Sequence, residues 1–334
     1  MEEKSVLITG ATGFLGGYAV DEFLANGYTV YAMGRNVARG MELEARGAHF
    51  VYCDLGDEDV LAEWMQMVRY VAHVGAKSTV WGQWKDFEAA NITGTENVAR
   101  AAVRAGVEKL VYVSSPSIYS GNRDRLDITE DDFDTGNDLN YYIRSKIISE
   151  ERLHLICSGK IAYNIIRPRG LVGVGDTSVI PRLIRANKKI GIPLLNQGQN
   201  LVDMTSVENA AYALRLCLEA DDPHGSIYNI TNGEPRVFAE ILQQLFDHMG
   251  EKPRFRRLNY KLIYGVASAL EQWYILRKEY DKEPALTRYT VCTLGHSQTL
   301  NIDKARQQLG YAPKVTLNET IKKYAEHYRE HRKN

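Results

Sequence analysis

Short apolar runs rich in β-branched residues alternate with longer segments of helical period through the first half of the chain. Six runs read as strands: Ser5–Thr9, Tyr28–Met33, His49–Tyr52, Tyr70–Val74, Lys109–Ser114 and Ala162–Arg167. Each is largely continuous in apolar character, the pattern of a parallel strand covered on both faces. Helices fill the intervals at Phe14–Asn26, Val37–Arg46, Glu58–Met67, Phe87–Ala105 and Asn140–Ser158. Gly27, Gly47 and Gly106 follow three of them directly, where a left-handed C-terminal cap favours glycine. The alternation is the sequence form of βαβ units, so the expected fold is α/β with a doubly wound parallel sheet.

Beyond Arg167-Pro168 the alternation is lost. Helical segments are expected at Thr177–Lys189, Val207–Ala220, Val237–Met249, Leu258–Glu279 and Asn318–Arg329, with short strands near Ile192–Leu195 and Ser226–Ile230. The chain therefore divides into residues 1–168 and a smaller α/β unit, 169–334, with some C-terminal segments left to pack back on the first. No internal repeat, low-complexity tract or long linker separates them, so the two should pack tightly.

Composition narrows the class. The 334 residues are 44% hydrophobic and 25% charged, which excludes disordered and fibrous chains. Forty-one basic against forty-two acidic residues give a net charge of −1, so no global field draws the protein to nucleic acid, and any partner is recognised locally. Cys53, Cys157, Cys217 and Cys292 stand far apart without a Cys-x-x-Cys pair, an arrangement that suits a reducing cytoplasm and buried thiols rather than disulfides or a metal site. The N-terminus lacks the regions of a signal peptide. Leu258–Leu276 is strongly apolar but carries Lys261, Glu271 and Gln272, so it does not span a bilayer. Three roles stay open for it: a core helix bridging the units, the wall of an apolar pocket, or a peripheral membrane contact.

The chemistry begins at the first turn. Gly10-Ala11-Thr12-Gly13-Phe14-Leu15-Gly16 places three glycines between a strand and a helix. One permits the tight turn, one lets the backbone approach a pyrophosphate, and one allows close helix–strand packing, while the helix N-terminus presents N–H groups to the phosphates. The fold is accordingly Rossmann-type. At the end of the second strand, Arg35 stands where an acidic residue would select NAD, which favours NADP(H) and leaves NAD(H) as the second option. Arg39 is a further contact one turn on, and a merely solvated Arg35 is the alternative.

Tyr142 and Lys146 lie four apart in a predicted helix, on one face and one turn apart. An ammonium group beside a phenol favours the phenolate and makes proton transfer practical near neutrality.

Together with Ser114-Ser115 after the fifth strand and Asp54-Leu55 after the third, these motifs resemble the extended short-chain dehydrogenase/reductase superfamily, that of the NAD-dependent epimerases and dehydratases. The resemblance covers essentially the whole chain. It is strongest to the 3β-hydroxysteroid dehydrogenase-like branch and its bacterial 2-alkyl-3-oxoalkanoate reductases, through Ser114-Ser115-Pro116-Ser117, Asn200-Leu201-Val202-Asp203, Asn232-Gly233-Glu234-Pro235 and Glu283-Pro284-Ala285-Leu286-Thr287-Arg288. The resemblance implies Tyr142 as acid/base, Lys146 on the nicotinamide ribose, and Ser115 on the substrate oxygen, with Ser114 its rival. It further implies Asn91 near the reacting centre, Asp54 and Leu55 at adenine, and Val74-Gly75-Ala76 along the cofactor. Pro168 and Arg169 would flank the nicotinamide, and Ser117, Lys77 and Trp81 would face substrate. A homodimer through the helices around Phe87–Ala105 and Asn140–Ser158 is also implied.

The activity so implied is ketone/secondary-alcohol interconversion on an apolar, sterol-like or 3-oxoacyl-like molecule. The rival is a nucleotide-sugar epimerase or dehydratase. Against it, Ser115-Pro116-Ser117 replaces the Thr-Asp-Glu of dehydratases, and Val202 stands where an arginine would pair with a diphosphate; Arg254, Arg256 or Arg257 would have to supply that fork. A non-catalytic dinucleotide-binding regulator is the more remote alternative, disfavoured by the intact Ser115, Tyr142 and Lys146.

Overall fold

A computed structural model describes residues 4–222 and 224–331. The main sheet is built from β1 (Ser5–Thr9), β2 (Thr29–Gly34), β3 (His49–Tyr52), β4 (Tyr70–His73), β5 (Lys109–Val113), β6 (Ala162–Pro168) and β7 (Ile227–Ile230), with α1 (Phe14–Ala25), α2 (Val37–Glu44), α3 (Glu58–Met65), α4 (Gly94–Ala105), α5 (Tyr141–Cys157) and α6 (Val207–Glu219) among them. All pairings are parallel and the order is β7-β6-β5-β4-β1-β2-β3, so the winding reverses between β1 and β4. That is the Rossmann arrangement, with its ligand crevice at the reversal, outside the carboxyl ends of the strands.

Successive β1 side chains point to opposite faces, and each face has its own core. Val6 and Ile8 pack with Ala19 and Phe23 of α1 and Leu214 of α6. Leu7 packs on the other side with Leu61 of α3, Val98 of α4 and Leu153 of α5. Side-chain caps fix several helix starts: Asn36, Asp57 and Asn140 accept from the backbone N–H groups of Arg39, Val60 and Ile143. Gly106, at φ +66°, ends α4 in the left-handed region.

Three findings go beyond the sequence reading. The strand expected at Ser226–Ile230 is β7, the edge of the main sheet beside β6, and α6 packs against α1. The helix expected over Phe87–Ala105 is divided: a helical turn, Trp84–Phe87, runs through a π-helical segment, Glu88–Thr93, into α4. The helix Tyr260–Leu276 is not a core helix, since only Ala267 and Glu271 are buried along it. Helices at Arg288–Gly295 and Asp303–Leu309 and several two- or three-residue strands complete the later chain. There Ile184, Phe238, Leu245 and Ile321 form a separate apolar cluster. All four cysteines are buried thiols. Among the described residues, no helix is long and apolar enough to cross a membrane.

Candidate active site

The residues singled out in the sequence gather at the carboxyl ends of the strands: Gly10 after β1, Arg35 after β2, Asp54 after β3, Gly75 after β4, Ser115 after β5 and Arg169 after β6. Gly10, at φ +67°, is compulsory, because a Cβ there would lie 2.5 Å from the Gly75 Cα. A Cβ on Gly16 would lie 2.1 Å from the Gly10 carbonyl oxygen, so the start of α1 can approach the turn only as glycine. Gly13 differs: a Cβ would meet only the Gly10 oxygen, at 3.1 Å, and the residue is exposed at the helix start with no side-chain cap. The turn is therefore open to solvent at Gly13, and it fits a dinucleotide pyrophosphate. Phe14 and Leu15 form the first turn of α1, Leu15 buried in the core. Thr12 sits over Gly34, where a Cβ would come 2.6 Å from its hydroxyl.

Arg35 and Asp54 meet at 3.0 Å, both well exposed. Asp54 also accepts from the Gly56 N–H at 2.9 Å, which shapes the turn after β3. Arg39 is drawn to Glu42 at 2.7 Å rather than toward Arg35. Leu55 is held by Asn97, whose amide donates to its carbonyl at 2.9 Å. Val74 and Gly75 are half-buried, and Ala76 is exposed at the head of the loop after β4.

On α5, Tyr142 is half-buried and Lys146 buried. Burial raises the Tyr142 pKa, while the Lys146 ammonium and the Ser115 hydroxyl act to lower it, leaving it above the ordinary phenol value. Burial lowers the Lys146 pKa, opposed by Tyr142 and Glu150. Lys146 Nζ donates to the Tyr112 hydroxyl and the Val113 carbonyl, each at 2.9 Å, which leaves one of its three donors. Ser115 is half-buried, with its hydroxyl 2.9 Å from that of Ser117. Its rival Ser114 is buried with its Oγ unpartnered.

Asn91 lies in the π-helical segment, fully buried. It accepts from the Lys77 N–H at 2.7 Å and donates to the Lys77 carbonyl at 3.0 Å and the Ser145 hydroxyl at 2.9 Å. It thus ties the loop after β4 to α5. Lys77 turns its ammonium to Asp86 at 3.1 Å. Trp81 donates to the Glu279 carbonyl at 3.2 Å and stacks on Tyr280, with Tyr274 at its edge. Pro168 ends β6. Arg169 is buried with Nε unpartnered, and its neighbour Asp203 is pushed up to about 6 by burial, against the lowering effects of the Leu300 N–H and Arg169.

Two supports were missed in the sequence. His73 at the end of β4 bonds Thr9 at 2.7 Å and Thr95 at 3.0 Å and stacks on Tyr112, beneath Lys146; burial, with Lys146 nearby, holds its pKa down at about 3. Glu150, one turn beyond Lys146, takes a two-pronged bond from the buried Arg167 at 3.0 and 2.5 Å. The Tyr142, Lys146, Glu150 spacing of four was the available signal, with Arg167 the charge in an otherwise apolar strand. Tyr289, also absent from the sequence reading, acts to raise the pKa of both Tyr142 and Arg169. Of the arginines considered for a diphosphate, Arg254 is turned to the carbonyls of Asn187 and Lys188, and Arg256 and Arg257 are exposed.

Residues 6–231 match the NAD dependent epimerase/dehydratase family. An uncharacterized protein of Escherichia coli (strain K12), YbjS, is 38% identical, with 98% of each chain covered. The 2-alkyl-3-oxoalkanoate reductase of Stenotrophomonas maltophilia (strain K279a) is 31% identical over 95% of this chain and 97% of its own. The structure of MoeE5 in complex with UDP-glucuronic acid and NAD superposes with a TM-score of 0.76, covering 98% of this chain and 99% of that one at 23% identity, a likeness of fold.

Proposed function

The chain belongs to the NAD-dependent epimerase/dehydratase family and is an NAD-dependent oxidoreductase; from that premise we propose that it interconverts a ketone and a secondary alcohol on an apolar, 3-oxoacyl-like or sterol-like molecule, with preference for NADP(H). The convergence of Ser115, Tyr142 and Lys146 carries this reading. The name of the Stenotrophomonas relative supports the oxoacyl substrate. So does Arg169, a buried cation with an unpartnered Nε near the nicotinamide end, which suits an anionic head on an apolar body.

A bound nicotinamide supplies or takes up the hydride. Tyr142 donates its proton to the carbonyl oxygen during reduction, and Ser115 hydrogen-bonds the same oxygen as charge develops on it. The raised Tyr142 pKa keeps the phenol protonated at neutrality, which suits an acid acting in the reductive direction. Lys146 retains one donor for the cofactor ribose, while Tyr112 and Val113 fix its position. The open Gly13 turn receives the pyrophosphate and Arg35 the 2′-phosphate, exchanging its exposed contact with Asp54 for a more highly charged partner. The expected homodimer, through the helices around Phe87–Ala105 and Asn140–Ser158, belongs to the same reading. Val202 stands directly before Asp203, where an arginine would pair with a diphosphate, and this supports the apolar substrate class over nucleotide sugars.

A paired NADPH/NADH turnover screen of 3-oxoacids, sterol ketones and UDP-sugars tests the assignment. Expected is reduction of an apolar ketone faster with NADPH. Tyr142→Phe should lose about 10²–10⁴-fold in turnover with NADPH binding retained, and Arg35→Asp should shift preference to NADH. Turnover of UDP-sugars alone, or near-normal rates for Tyr142→Phe, overturns the proposal.

A further inference from the structure

The helix Tyr260–Leu276 is amphipathic in the reverse of the usual sense. At about 100° per residue, Leu262, Val266, Ala269, Trp273 and Leu276 fall within about 80° of arc, and that arc faces solvent. Leu262 is 66% exposed, Val266 46%, Trp273 52% and Leu276 80%. The opposite side carries the buried Ala267 and Glu271 and the inward Tyr264 and Tyr274. A contiguous apolar stripe on a helix exposed along its length marks an interaction surface.

Charge identifies what meets it. Exposed Arg256, Arg257 and Lys261 stand at the start of the helix and Arg277 and Lys278 at its end. Between residues 252 and 278 the single carboxylate is Glu271, buried and paired with Arg288 at 2.7 Å. Among the described residues, no carboxylate pairs with Arg256, Arg257, Lys261 or Lys278. Arg277 lies over the Trp273 ring at 4.4 Å and reaches Glu279 at 3.6 Å. In a chain of net charge −1, this is a local concentration of cations around an apolar stripe. A second copy is a poor occupant, because both ends are basic and either antiparallel or parallel pairing brings like charges together. An anionic bilayer satisfies both features: apolar side chains enter the acyl boundary while the basic ends meet the headgroups.

We propose that Tyr260–Leu276 is a docking face for an anionic lipid bilayer, with the helix lying in the interfacial plane. The inner face of this helix packs on the loop after β4, for Tyr274 meets Trp81, the residue expected to face substrate, and Asn91 ties that loop to α5. Docking would therefore set the cleft beside the bilayer. That last step, supply of substrate from the membrane, rests on the substrate being apolar; the docking itself does not.

Flotation of the full chain with vesicles of phosphatidylglycerol and phosphatidylcholine, against phosphatidylcholine alone, tests it. Binding is expected to the anionic vesicles and to fall at least tenfold when salt rises from about 0.05 to about 0.5 M. Two variants, Leu262→Glu with Val266→Glu and Arg257→Glu with Lys261→Glu, should each lose binding about tenfold or more. All four side chains are exposed, and unchanged circular dichroism and thermal melting establish that the variants fold. Absence of binding to anionic vesicles, equal binding to neutral ones, or variants that bind like the parent overturns the proposal. So does sedimentation showing self-association through the stripe without vesicle binding. Ketone turnover in vesicle-free buffer is read separately, so failure to bind with turnover intact removes the docking face alone, and binding without turnover removes the assigned reaction alone.

Discussion

Removing the Arg167 guanidinium should destabilise the protein from beneath its reaction site. The Arg167 side chain is fully buried and that of Glu150 nearly so. Besides its fork on Glu150, Arg167 donates to the Tyr119 hydroxyl at 2.6 Å and the Glu130 carbonyl at 2.7 Å. With charge centres about 4 Å apart and an effective dielectric constant near 20, the attraction is about 4 kcal/mol, most of which offsets the desolvation of both groups. Arg167→Met leaves Glu150 as a lone buried carboxylate, which should cost about 3–5 kcal/mol, or a fall of roughly 10 °C in Tm at about 2–4 °C per kcal/mol. Arg167→Met with Glu150→Leu removes both charges and should recover at least about 2 kcal/mol relative to the sum of the single variants. Urea and thermal unfolding of the four proteins measure the cycle. A single variant within about 1 kcal/mol of the parent, or strict additivity, refutes the reasoning. Glu150→Gln carries an independent readout. Glu150 is one of the groups raising the Lys146 pKa, so its neutralisation should move the basic limb of the pH–rate profile downward.

Gly10→Ala should lose roughly 2–4 kcal/mol, from a left-handed φ and a 2.5 Å clash with Gly75, and should weaken cofactor binding in a fluorescence titration. Gly17→Ala, whose Cβ would meet only the Ala11 oxygen at 3.9 Å, should be neutral or stabilising by up to about 1 kcal/mol; equal losses in the two would discount the geometry. Asp203 has a folded pKa raised to about 6, above its unfolded value near 3.8, so the folded state holds the extra proton. Its contribution to stability therefore declines as pH rises from about 4 to about 6, by up to about 3 kcal/mol. In Asp203→Asn this component should vanish from a pH series of unfolding midpoints, and a persisting component would assign it elsewhere.

The strands of the main sheet were legible because burial on both faces writes a continuous apolar run. The glycine turn was legible because its spacing has one geometric use. The π-helical segment was not, since one extra residue per turn over six positions scarcely disturbs a helical period, yet it is what turns Asn91 inward to Lys77 and Ser145. Two-residue strands such as Leu171–Val172 are too short to show alternation. The solvent-facing placement of Tyr260–Leu276 was hidden for the opposite reason: its apolar residues obey helical spacing, and spacing alone does not say which arc meets the protein. The Ser115–Tyr142–Lys146 cluster could be named from the chain, but the support of Lys146 by Tyr112, His73 and Glu150 depends on strands far apart in sequence.

The return of the chain to form β7 also fixes an order of assembly. Until Ile230 has been synthesised, β6 is an open sheet edge, with unpaired backbone groups along Ile165–Pro168 and part of the α1 face uncovered by α6. A nascent chain halted at Pro168 would hold every glycine of the dinucleotide turn and both Tyr142 and Lys146, yet present an edge able to pair with another chain. The cofactor-binding layer is thus encoded early but closed late, and fragments ending between Pro168 and Ile230 should aggregate where the full chain folds.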